Sequence, residues 1–219
     1  MNIFKPQVKR LVEKKDYNGL SRLLASDPKL ANEGIKIPYD IFCKVKAHPL
    51  HRICDGVFAG KITDNEAVEL AKIFIENGAD IDGDKAKDEG TPLLAAASLH
   101  AEKTGIFFID NGADVHYVYK GDGASALHWA AFCGRDKLVD RLIKANAAID
   151  EPDTEHNSTP LGWAIHCLMS NVSGNSHNQT ACIKLLLQAG ANAEKLGMEA
   201  NDYLKALAKK DLELVKLLK

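Results

Sequence analysis

The chain has 219 residues, 46% of them hydrophobic, and its 28 Lys and Arg nearly balance 30 Asp and Glu, leaving a net charge of −2. That is the composition of an ordinary folded protein, and nothing in the bulk charge calls for nucleic acid or an anionic membrane as partner. No run approaches the roughly 18 apolar residues of a membrane span, and residues 1–12 lack the long apolar core of a signal peptide.

From the N-terminus, Val8, Leu11 and Val12 have helical spacing, and Leu20, Leu23 and Leu24 begin a second apolar stripe that stops before Pro28. Residues 1–40 are read as an N-terminal cap. Two phrases then recur in register. His48-Pro49-Leu50-His51, Thr91-Pro92-Leu93-Leu94, Ser125-Ala126-Leu127-His128 and Thr159-Pro160-Leu161-Gly162 are the first. Gly78-Ala79-Asp80, Gly112-Ala113-Asp114, Asn146-Ala147-Ala148 and Gly190-Ala191-Asn192 are the second, and the interval between successive copies is 34 residues through the middle of the chain.

Each phrase has a physical task. Thr91, Ser125 and Thr159 can cap a helix with a side-chain oxygen, Pro92 and Pro160 suit the first helical position, and the Leu that follows faces the core. Gly78, Gly112, Asn146 and Gly190 end a second helix, because Gly and Asn tolerate the left-handed conformation that stops one. The unit is thus helix, turn, helix and an extended turn to the next cap. This predicts four repeats, residues 41–83, 84–116, 117–150 and 151–193, closed by a C-terminal cap over 194–219. In that cap Tyr203, Leu204, Leu207 and Ala208 mark one helix, and Leu212, Val215, Leu217 and Leu218 the last.

The paired phrases resemble the ankyrin repeat family, whose unit of about 33 residues carries Thr-Pro-Leu-His. The resemblance implies an all-α, ankyrin-type solenoid of helix-turn-helix repeats joined by short β-like turns, a single array over 1–219. It also implies a non-catalytic module that binds another protein through the concave face formed by its first helices and through its turn tips. The departures are local: His48 replaces Thr, Leu94 and Gly162 replace His, and Ser125-Ala126 replace Thr-Pro.

Two insertions lengthen the first and fourth repeats between their helices. One runs from Asp55 to Asp64, where Thr63 or Asp64 is placed to cap a helix from Asn65. The other is the polar stretch Ser170 to Gln179.

Catalytic and metal chemistry find little support in the residues. Cys43, His48, His51 and Cys54 supply zinc-ligand types at short range and define the alternative reading, a metal protein or enzyme using that cluster. Cys133 and Cys167 stand at matching places, without a Cys-His-Asp arrangement around either. No phosphate-binding loop occurs, so no cofactor is expected. Five cysteines, an odd number without a framework spacing, point to a reducing compartment and hence the cytoplasm.

Partner binding is assigned to the third and fourth repeats. Tyr117 and Tyr119 alternate on an extended turn, so both rings are expected on one side. Trp129 and Trp163 are equivalent in adjacent repeats, as are Phe132 and His166, and hot spots favour such rings. Tyr117, Tyr119, Phe132 and His166 are read as contacts, supported from below by Trp129 and Trp163. Asp150, Glu151, Asp153 and Glu155 add four carboxylates without one base, read as solvated charges that steer a partner, with Asp153 and Glu155 as contacts. A monomer is expected. An inhibitor or immunity partner that masks an enzyme, and a plain structural spacer, are the other roles such a chain can fill.

Overall fold

The computed structural model describes residues 8–40, 45–83, 89–170 and 178–218, and the chain gathers into two compact units, Met1–Ala113 and Asp114–Lys219. Among the described residues each unit holds three helix pairs. The first has α1 (Val8–Lys14) with α2 (Tyr17–Ser26), α3 (Pro49–Phe58) with α4 (Asp64–Glu76), and α5 (Pro92–Ser98) with α6 (Glu102–Asp110). A two-stranded antiparallel ladder, β1 (Ile35–Lys36) and β2 (Lys46–Ala47), pairs Ile35 with Ala47 ahead of α3. The second unit has α7 (Ala126–Phe132) with α8 (Asp136–Lys144), α9 (Pro160–Met169) with α10 (Gln179–Gln188), and α11 (Met198–Ala208) with α12 (Leu212–Leu217).

The starts and stops fall where the phrases place them. Thr91 Oγ1 accepts the Leu94 N–H at 3.3 Å and Thr159 Oγ1 the Gly162 N–H at 3.4 Å, each satisfying one of the orphan donors at a helix start. His48 does the same with a ring nitrogen, its Nδ1 accepting the Leu50 N–H at 3.3 Å. At Ser125 the box is closed by His128, whose Nδ1 accepts the Ser125 N–H at 3.1 Å and lies 2.9 Å from Ser125 Oγ. Gly78, Gly112, Asn146 and Gly190 have φ of +88°, +91°, +62° and +96°, the left-handed stop.

The first insertion divides its two candidate caps between two helices. Thr63 caps α4 and exchanges bonds with Glu66, whose Oε2 accepts the Thr63 N–H at 2.8 Å. Asp64 turns to the next repeat. Its carboxylate accepts the N–H groups of Lys103 (2.6 Å) and Thr104 (3.0 Å) and the Thr104 hydroxyl (2.7 Å), capping α6, whose own N-cap Ala101 has no side chain to offer.

The core lies between paired helices: Phe74, Phe108, Leu127, Leu138, Leu142 and Leu161 are fully buried. The last helix departs from its expected stripe. Leu212 is 83% exposed and Leu214 is fully buried in its place, because Asp211 caps α12 and sets a phase in which Leu214 faces inward. Lys184 of α10 holds this end with Asp211 and Glu213, each at 2.8 Å. Among the described residues no helix is long and apolar enough to cross a membrane.

Candidate functional site

The helix-start phrase places the residue three positions after each start on the same helical face. In α7 and α9 that residue is Trp129 and Trp163, whose ring centroids meet edge-to-face at 5.1 Å. Phe132, one turn further along α7, joins them at 6.1 Å from Trp129 and 5.9 Å from Trp163. All three rings are partly exposed. The first unit carries no such row, since Arg52 and Ala95 occupy the equivalent places, and Arg52 is buried in an ion pair with Asp55 at 2.9 Å.

Two turns frame the rings. In the turn before α7, the Tyr119 N–H donates to the Ala124 carbonyl at 3.0 Å, the Gly123 N–H returns to the Tyr119 carbonyl at 2.9 Å, and Val118 bridges to Ser125. The turn before α9 stacks on it, its Thr154 N–H donating to the Asp122 carbonyl at 2.8 Å. Gly123 permits this approach: its φ is +76°, and a Cβ there would stand 2.5 Å from the Thr154 nitrogen.

Asp153 is the centre of the second turn, which corrects its reading as a solvated steering charge. It is 2% exposed. Its Oδ2 accepts the Trp163 Nε1–H at 2.9 Å and the Ser158 N–H at 3.0 Å; its Oδ1 accepts the N–H groups of Glu155 at 2.9 Å and His156 at 2.6 Å. Burial alone would raise this carboxyl, but donors from His156, Trp163, Ser158 and Glu155 outweigh it and hold it below its usual value. A short polar turn in which one carboxylate gathers its own backbone N–H groups is the Asx geometry that Asp favours. Glu151 and Glu155 remain exposed, whereas Asp150 accepts the Asn192 N–H at 3.0 Å.

Two histidines complete the cluster, and the sequence reading did not place them there. His128 lies 5.4 Å and His156 6.5 Å from the Trp163 ring. His128 is buried, and desolvation holds it below its usual value against the pull of the Ser158 carbonyl, 3.2 Å from Nε2. The Leu-His step of the phrase signalled a structural role for it, while His156 carried no periodic signal.

The remaining expected contacts are spread out. His166 is exposed, with Nε2 3.2 Å from Ser170 Oγ. Tyr117 and Tyr119 are both partly buried on either side of Val118, which is 44% exposed. The Tyr119 ring folds over its own turn, where a Cβ on Gly121 would strike it. Of the fourth repeat's insertion, residues 171–177 lie outside the described residues. Its end is fixed: Gln179 Nε2 donates to the Phe132 carbonyl at 3.1 Å and the Asn178 N–H to the Gly134 carbonyl at 3.2 Å, so the segment fastens the end of α7.

Two residues of the metal alternative, His48 and Cys54, are engaged or buried in other roles. His48 spends Nδ1 on the Leu50 N–H and sets Nε2 3.0 Å from Asn32 Oδ1, Cys54 is fully buried with burial pushing its thiol well up, and Cys43 lies outside the described residues. Among the described residues no group of three or more His, Cys, Asp or Glu is placed to hold a metal ion.

Residues 106–195 match the family model for ankyrin repeats in three copies. Over 97% of its length the chain superposes on the human ASB11 ankyrin repeat domain, covering 82% of that chain with a TM-score of 0.61 at 23% identity. Residues 106–195 thus carry ankyrin repeats, and the chain has the ankyrin-type helical solenoid fold. Among curated proteins it is similar to Palmitoyltransferase ZDHHC13 of Homo sapiens, 34% identical over 113 residues, 48% of this chain and 16% of that protein. It is likewise similar to Ankyrin repeat and SAM domain-containing protein 6 of Mus musculus, 35% identical over 101 residues, 45% of this chain and 10% of that protein. The chain thus spans 10–17% of the length of the curated relatives it matches. Ankyrin repeats are generally protein-interaction modules and typically non-catalytic.

Proposed function

We propose that the second unit binds a partner protein through Trp129, Phe132 and Trp163 with the flanking turns, and that the chain is non-catalytic. The observation that carries this reading is three mutually packed aromatic rings left partly open on adjacent first helices. Hot spots concentrate in such rings because they release much water while their own shape is already fixed. His166 and Tyr119 stand at the edge of the same unit as adaptable contacts, and Tyr117 and Glu155 extend them along the turns.

The match to a palmitoyltransferase covers 16% of that protein and only its ankyrin region, so it lends no support to a catalytic reading of this chain. Buried Cys54 and Cys167 carry no disulfide and suit a reducing compartment, supporting a cytoplasmic location. The chain acts as a monomer.

Affinity capture followed by mass spectrometry, run in parallel with the parent and a Trp129→Ala/Phe132→Ala variant, tests the reading. A stoichiometric partner recovered by the parent and lost by a folded double variant supports it. A partner retained equally by both, or catalytic activity in the isolated chain, contradicts it.

A further inference from the structure

The aromatic face lies in a stretch with an unusual charge balance. From Ala145 through Ile183 there is no Lys or Arg, and none from Gly121 through Gly134, in a chain that carries 28. The same two segments hold Asp122, Asp150, Glu151, Asp153 and Glu155. Glu151 and Glu155 are exposed on the turn that packs on Trp163.

A second observation comes from the indole itself. Trp163 donates Nε1–H to Asp153 Oδ2 at 2.9 Å, and the bases that face that carboxylate are two histidines, His156 at 3.4 Å and the buried His128, whose desolvation favours its neutral form. A carboxylate at the N–H edge of an indole pushes electron density into the ring, and its own charge adds to the negative potential over the ring face. Both effects strengthen the attraction of that face for a cation.

Resting on the reading of this face as a protein-binding site, we infer that its occupant is a peptide segment that places an Arg or Lys side chain on the Trp129–Trp163 pair beside an apolar residue. The guanidinium is the better fit, because it is planar, weakly hydrated and stacks on aromatic faces. Glu151 and Glu155 raise the local concentration of such a segment, and the rings take its side chain once it arrives. The ring row alone would accept any apolar anchor; the missing bases and the carboxylate behind Trp163 select a cationic one.

The chain contains two tryptophans and both are in the site, so the two indole N–H signals of a nitrogen-15 spectrum report on it directly. The probes are acetylated, amidated pentapeptides Ser-Leu-Arg-Leu-Ser, Ser-Leu-Leu-Leu-Ser and Ser-Leu-Glu-Leu-Ser at low salt. The Arg peptide is expected to move both signals and to bind about 5-fold more tightly than the Leu peptide, with the Glu peptide weakest. A Glu151→Gln/Glu155→Gln variant should melt as the parent does and lose about 3-fold in affinity for the Arg peptide alone, because only that probe is steered by the two charges. Equal binding of the Arg and Leu peptides overturns the cation preference and leaves the apolar binding face standing. If neither peptide moves the signals at millimolar concentration, the inference falls, and the binding face is then decided by the capture comparison.

Discussion

Trp163 and Asp153 are joined by a hydrogen bond of 2.9 Å from indole Nε1–H to carboxylate Oδ2, which locks the face of one repeat to the turn that precedes it. Asp153→Ala strands that donor and three backbone N–H groups, and should cost about 2–3 kcal/mol in a denaturant titration. The carboxyl is held below its usual value in the folded state, so its contribution is complete above about pH 4 and is lost as pH falls through the folded value. The melting temperature of the parent should therefore be insensitive to this group between pH 7 and about 5 and fall below about 4. In Asp153→Asn that acid-side loss should be smaller.

Asp64 gives a second internal test. Its carboxylate caps α6 through Lys103 and Thr104, and Thr104 is fully buried. Asp64→Ala should lower stability by about 1–2 kcal/mol. Asp64→Asn should recover part of that, since an amide oxygen still accepts an N–H. A denaturation midpoint unchanged in the Ala variant would remove the cap assignment.

Gly123 sits at φ +76° against Thr154. Gly123→Ala must either push Thr154 away or break the Asp122–Thr154 bond, and should cost at least about 1 kcal/mol. Its readout is thermal melting combined with amide exchange at Thr154, which should speed up.

The repeat phrases made most of the fold legible, because a cap needs an oxygen or ring nitrogen and a helix stop needs a left-handed residue, and both demands are written in residue type. His48, Thr91 and Thr159 therefore cap where expected, and Asn146 stops α8 as the glycines stop its equivalents. What escaped was the destination of side chains within non-periodic turns. Four acidic residues in a row of six look alike in sequence, yet Asp153 is buried by its own backbone, Asp150 is taken by Asn192, and Glu151 and Glu155 stay in solvent. The pattern Asp153-x-Glu155-His156 with Ser158 after it carries the Asx signal, but only the packed Trp163 shows that the carboxylate also receives an indole. Leu212 misled for a related reason: in a helix of six residues the cap sets the buried phase, and apolarity alone does not.

Thiol chemistry offers an independent check on packing. Burial pushes the Cys133 thiol up to about 11 and Cys54 well above its usual value, so neither holds much thiolate at neutral pH. Iodoacetamide at pH 7.5 should leave both unmodified in the native protein and label them on unfolding, as peptide mass spectrometry would read. Rapid native labelling at Cys54 would mean that the α3–α4 pair opens.

The central claim is that the rings of α7 and α9 form the partner face, and the dissociation constant of the captured partner for Phe132→Ala tests it most directly. Phe132 is partly exposed, and its removal leaves the Trp129–Trp163 contact in place. The account predicts a loss of about 1–3 kcal/mol in binding with the melting temperature nearly unchanged. Parent-like affinity in a folded Phe132→Ala variant, repeated in Trp129→Ala, would contradict it and place the partner elsewhere on the molecule.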